Sequence, residues 1–248
     1  MDKRSKTLDP ITKSRLHEEI VSQVQRKVIS GDFAMGEKLP AERDLAQSLR
    51  VNRATLREAL KKLEMLGLVE IRHGDGIYVR NYLESGNLEL FKAIVYMDSV
   101  IPLDILRNIL DIRRIIVPEM AFYAARLRTD QELEDLRKAV FDGEDVPMQE
   151  RDLRVHQILA RGSGNMLYVF LLNFFNQLFR DYGYLYFSNA DNVKRSALFH
   201  RAIYEAVSKR QPEKARKILS DVLIYVENRI YDFYESNYRQ VPAKGGGL

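Results

Sequence analysis

Asp152 and His156 stand four residues apart, a spacing that puts both side chains on one face of a helix. A carboxylate beside an imidazole is a chemically reasonable divalent-metal pair; the plainer alternative is a surface or capping histidine near an aspartate. The chain has only four histidines, and His200 falls in the same half as His156. A second constellation is cationic. Leu56, Ala59, Leu60 and Leu63 recur at i, i+3, i+4 and i+7, so with that stripe facing inward Arg53, Thr55, Arg57 and Lys61 face out. The arginine fork matches guanine O6 and N7, which makes Arg53 and Arg57 candidates for base readout. Arg43 is placed for phosphate. His73 and Gly74, at the tip of a hairpin, can reach an adjacent minor groove or backbone.

The elements that must position these residues are legible. Leu16, Ile20, Val21, Val24 and Val28 predict a helix over 13–30, closed by Gly31. Pro40 opens a short second helix, with Leu45, Ala46 and Leu49 inside. Asn52 caps the third, and Gly67 stops it. Val69-Glu70-Ile71 and Ile77-Tyr78-Val79 alternate as strands around His73-Gly74-Asp75-Gly76. Three helices and a hairpin make a winged helix-turn-helix, whose third helix enters the major groove. Residues 81–87 read as a polar linker. Beyond it the pattern is helical throughout: 88–98, 103–127, 130–140, 149–162, 165–187, 192–208 and 212–236. The expected fold is therefore mostly α: a DNA-binding domain over 1–80, a linker over 81–87, an all-α bundle of about seven helices over 88–240, and a disordered tail over 241–248.

Charge follows the same division. Residues 1–80 hold 16 Lys and Arg against 12 Asp and Glu, whereas residues 81–248 balance at 23 against 23. All the excess positive charge thus lies in the first third, as expected of a polyanion binder. Of 24 Phe and Tyr, only Phe33 and Tyr78 precede residue 81, leaving the aromatic mass to build a core or enclose a ligand. The absence of cysteine excludes a disulfide scaffold, a Cys zinc finger, an iron–sulfur site and a cysteine nucleophile. The opening MDKRSKTLDP has no apolar core behind its charges, and no apolar run approaches a membrane span. A cytoplasmic protein with no membrane partner is expected.

Longer motifs carry a resemblance. Leu39-Pro40-Ala41-Glu42-Arg43-Asp44-Leu45-Ala46, then Val51-Asn52-Arg53-Ala54-Thr55-Leu56-Arg57-Glu58-Ala59-Leu60, and Arg72-x-Gly74-x-Gly76-x-x-Val79 resemble the GntR family of bacterial transcription regulators. The resemblance implies a homodimer on a palindromic operator, usually as repressor, with DNA contacts at Arg43, Arg53, Thr55, Arg57, His73 and Gly74. The second part is similar to the FCD effector domain of the FadR subfamily. It carries Leu110-Asp111-Ile112-Arg113-Arg114, Asp152-x3-His156 with Ser163-Gly164-Asn165, and His200-x-x-Ile203. Such domains imply effector contacts at Arg113, Asp152, His156 and His200. Many hold a divalent metal, zinc or nickel, through one Asp and three His. Asp152, His156 and His200 occupy three of those positions, and Val222 stands at the fourth.

Two outcomes stay open: a metal completed by water or by a small carboxylate effector, or a metal-free pocket. The latter occurs in fatty-acyl-CoA-responsive regulators, which this chain resembles around Leu88-Glu89-Leu90 and Tyr186-Phe187-x-Asn189. The expected function is a ligand-responsive transcription regulator and not an enzyme. The rivals are a metal-dependent hydrolase built on Asp152, His156 and His200, for which no nucleophile motif or spare base is evident, and a non-specific nucleic-acid binder.

Overall fold

A computed structural model describes residues 16–98, 100–142 and 145–238, which divide into two compact units between Pro102 and Leu103. The expected tail, 241–248, lies outside the described residues. In the first unit the order is α1 (Leu16–Ile29), β1 (Lys38–Leu39), α2 (Glu42–Ser48), α3 (Arg53–Met65), β2 (Val69–Arg72), β3 (Gly76–Val79), α4 (Tyr82–Ser85) and α5 (Leu88–Val95). Ile20, Val21, Val28, Leu56, Ala59, Leu60 and Leu63 meet Ile77 and Val79 in one core, so the stripes read from α1 and α3 are the faces that pack. β2 and β3 form the expected antiparallel hairpin, with Ile71 opposite Ile77.

Three features differ from the sequence reading. β1 adds a third strand, Lys38 opposite Tyr78 and Leu39 opposite Ile77. Two residues carry no readable period, and the pairing is 40 positions distant. Pro40 lies before α2 and does not open it: Ala41 is the extended N-cap residue (φ −59, ψ 150) and the helix begins at Glu42. The expected linker is partly helical. Ser85 Oγ donates to Gly67 O at 2.7 Å, which brings α4 against the end of α3. Gly67 has φ 78, and a Cβ there would lie 2.1 Å from Ser85 O, so only glycine permits the approach. Asn87 caps α5 through Leu90 N and donates to Met65 O at 2.9 Å. Leu90 is buried in the first unit's core, so α5 packs with the residues before it.

The second unit contains α6 (Leu103–Leu127), α7 (Asp130–Phe141), α8 (Met148–Gly162), α9 (Met166–Tyr182), α10 (Tyr184–Phe187), α11 (Ala190–Ser208) and α12 (Pro212–Tyr238). Thr129 and Glu132 close a reciprocal capping box at the start of α7. α8 is central, contacting α6, α7, α9 and α11. The segment expected as one helix over 165–187 breaks at Gly183. Gln149 Nε2, from α8, donates to the carbonyls of Phe179 (2.9 Å) and Arg180 (3.0 Å), satisfying the end of α9 from outside. Among the described residues, no helix is long and apolar enough to cross a membrane.

Candidate nucleic-acid interface and buried polar cluster

The N-terminus of α3 is built by Asn52, whose side chain accepts from Thr55 N at 2.8 Å. Burial of Leu56, Ala59, Leu60 and Leu63 turns Arg53, Arg57 and Lys61 to solvent, with Thr55 half-buried. Arg43 is exposed on α2, and its Nε lies 3.4 Å from Asp44. Arg57 Nε donates to Glu42 Oε2 at 2.8 Å, linking α3 to the start of α2. His73 and Gly74 are exposed at the wing tip, where Gly74 takes φ 77. The wing is braced by Asp75, which accepts from Lys38 Nζ at 2.7 Å and Tyr78 Oη at 2.9 Å. The Lys38 hydrogen bond holds the Asp75 carboxyl below its usual range. All six residues expected to meet DNA are thus accessible or half-accessible on the helix-turn-helix and wing. A wider groove of about 310 Å³ on this unit, lined by Glu70, Arg72, Arg80 and Glu84, includes none of them.

In the bundle, three helices bring Arg113 (α6), Asp152 and His156 (α8) and His200 (α11) together. All four are buried. His200 Nε2 lies 3.0 Å from Asp152 Oδ1, and His156 Nε2 3.5 Å from Oδ2. Burial works against ionisation of Asp152, but His156, the His200 hydrogen bond and Arg113 outweigh it and hold the carboxyl down at about 2. His200 Nε2 is therefore the donor. Burial pushes His156 down to about 4, so it is neutral at physiological pH. Arg113 is lowered to about 10 by burial, with Asp152 opposing, and remains a cation. Its guanidinium stacks 3.9 Å over the Phe179 ring, and its Nε has no hydrogen-bond partner.

Arg113, Asp152 and His156 line a cavity of about 10 Å³ with Phe179, Tyr186, Phe187, Phe199, Val222 and Leu223, room for about one water. The sequence reading missed Asn192 and Ser196. With His200 they form a buried stripe at i, i+4, i+8 on α11, a spacing that was available as a signal. Asn192 Nδ2 donates to Tyr186 O at 2.9 Å, and its Oδ1 accepts from Tyr225 Oη at 3.1 Å, tying α10 to α11 and α12.

The residues as arranged do not fit a divalent ion. Asp152 is hydrogen-bonded to His200 and turned to His156, and it is the nearby counter-charge for Arg113. Val222, at the position open to a fourth ligand, is a buried apolar wall. Ligating histidines normally donate their second ring N–H, yet Nδ1 of both His156 and His200 has no partner. Among the described residues no group of three His, Cys, Asp or Glu is placed to hold a metal ion.

A winged helix-turn-helix that displays arginines from its recognition helix, followed by an α-helical ligand-type bundle, is the architecture of a bacterial transcription regulator and not of an enzyme. The chain belongs to the gntR family: residues 16–79 match "Bacterial regulatory proteins, gntR family" and residues 108–224 match the FCD domain. It is similar to the fatty acid metabolism regulator protein of Shewanella denitrificans, 32% identical over 68% of this chain and 71% of that one. The HTH-type transcriptional regulator Mce2R of Mycobacterium tuberculosis is 28% identical over 87% and 92% of the two chains. Among solved structures, Lar of Listeria monocytogenes shares the fold at a TM-score of 0.51 and 18% identity, covering 90% of this chain and 99% of that one.

Proposed function

We propose that this chain is a homodimeric, cytoplasmic transcription regulator, acting as a repressor, whose hold on a palindromic operator is set by an organic anion bound without metal at Arg113. The observation that carries the ligand reading is Arg113 itself: a buried cation with an unpartnered Nε, at the head of a cavity whose other walls are mostly aromatic and aliphatic. A guanidinium fork suits a carboxylate, and the walls suit an apolar body behind it. The cavity holds only about 10 Å³, so a ligand larger than water must displace part of its wall to enter. Ligand-free and ligand-bound bundles then differ in conformation. A ligand that prefers one of them shifts the regulator by that preference alone, and a coupling of roughly 1–3 kcal/mol gives about 5–150-fold in operator affinity. A long-chain acyl-CoA is the second reading, favoured by the apolar walls and by relatives named fatty acid metabolism regulator.

A thermal-melt screen of EDTA-stripped protein tests both readings. The panel holds small carboxylates and long-chain acyl-CoAs, each with and without zinc or nickel. A ligand at 100 times its Kd adds about 2.7 kcal/mol, and the expected rise in Tm is independent of metal. Stabilisation that requires added metal would overturn the metal-free site.

The second copy has an available surface. α6 and α9 run antiparallel, as the Arg113–Phe179 stack and the Tyr123–Tyr168 ring contact at 6.4 Å require. Ile112, Ile115 and Leu127 on α6 and Leu167 and Phe170 on α9 are exposed at 48–65%, large apolar side chains that an interface with a second copy would cover. Phe170→Glu should shift the protein toward monomers by light scattering, with dimer affinity about a hundredfold weaker, because a charge would be desolvated without a partner in the interface. An unchanged dimer mass would place the interface elsewhere.

A further inference from the structure

We infer that Glu42 determines how strictly this protein discriminates between operator and other DNA, by acting through Arg57. This rests on the reading of Arg57 as a base-contacting residue. Glu42 is the first residue of α2, and its Oε2 accepts from Arg57 Nε at 2.8 Å across the two helices of the helix-turn-helix. The Arg57 side chain is 62% exposed and that of Glu42 31%, so the pair adds little to stability. Its consequence is orientation. With Nε engaged, the two terminal nitrogens of Arg57 remain as the free fork, the part of the group that can bond guanine O6 and N7 together. Arg53, one turn earlier, has no such ion pair among the described residues.

The carboxylate has a second effect. It cancels one positive charge on a surface that meets a polyanion, and it tethers Arg57 against swinging to the nearest phosphate. Affinity for arbitrary sequence comes from phosphate neutralisation, so Glu42 lowers that affinity. The operator contact, which needs the oriented fork, is retained. A repulsive element aimed at wrong partners is a general route to specificity. Glu42 also lies at a helix N-terminus, where any carboxylate favours the dipole; that role predicts no dependence on Arg57.

Glu42→Gln keeps the shape and removes the charge, and Glu42→Asp keeps the charge with a shorter reach. Full-length wild type, both variants, Arg57→Ala and Glu42→Gln/Arg57→Ala would be titrated against a duplex selected from random sequence and against a scrambled duplex, over a range of salt. For Glu42→Gln, scrambled-duplex affinity should rise and its salt dependence steepen by about one unit of log–log slope per protomer. The operator-to-scrambled ratio should fall by about tenfold, with Glu42→Asp intermediate. In the Arg57→Ala background Glu42→Gln should leave the ratio unchanged. Equal shifts on both duplexes, or the same effect of Glu42→Gln with and without Arg57, would overturn the inference. A normal operator affinity for Arg57→Ala would instead remove the base-contact reading beneath it, and the inference with it.

Discussion

Arg53→Ala should weaken operator binding by about 2–6 kcal/mol per dimer, roughly thirtyfold to twenty-thousandfold, because each bidentate arginine–guanine contact contributes about 1–3 kcal/mol and a homodimer loses two. Stability should not fall. Arg53 is the first residue of α3 and is exposed, and a cation there opposes the helix dipole. Alanine is neutral or slightly better for the fold, so the positive charge serves binding. Operator and scrambled duplexes titrated at one salt concentration, together with a thermal melt, separate the two effects. A loss of operator affinity matched by an equal loss on scrambled DNA would reassign Arg53 to phosphate.

The second large effect is on stability. Asp152→Asn removes the one carboxylate among the side chains lining the bundle cavity and leaves Arg113 without its nearby counter-charge. Losing that nearby charge, together with the ionised acceptor of the His200 hydrogen bond, should cost about 1–3 kcal/mol, measurable as a lower midpoint in denaturant. The same cluster predicts an acid limb. His156 titrates at about 4 when folded against 6.5 when free. Between those values the unfolded chain binds a proton that the folded chain does not, so stability falls with falling pH, by about 1.4 kcal/mol per pH unit. Asp152, at about 2 against 3.8, contributes stability that is present above pH 3.8 and lost below it. His156→Gln should flatten the upper limb and also shrink the lower one, because His156 is one of the groups that hold the Asp152 carboxyl down. A stability that is level from pH 6.5 to 4 in the wild type would contradict the buried neutral histidine.

The two sites differ in how far the sequence exposes them. The DNA face is local: Asn52, the α3 stripe and the hairpin lie within 30 residues, and each follows from a period or a cap. Its third strand and the Arg57–Glu42 bond are tertiary, joining residues that no period relates. The bundle cluster is half legible. Asp152 and His156 share a helix face by spacing alone. Arg113 and His200 reach them only because α6 and α11 pack on α8, and the resemblance, more than any pattern, singles them out. The break at Gly183 is supported by Gln149 from another helix; the glycine itself was the one local signal against a single helix over 165–187. The same break makes α10 a separate turn, whose Tyr186 and Phe187 line the cavity.

Ligand control of DNA binding is tested most directly by titrating the selected operator at fixed salt with each panel compound that raises the melting temperature, for wild type and Arg113→Met. The account predicts that one such compound changes wild-type operator affinity by about 5–150-fold and leaves the variant unaffected. A compound that binds the bundle, by its effect on Tm, yet leaves operator affinity unchanged would contradict it.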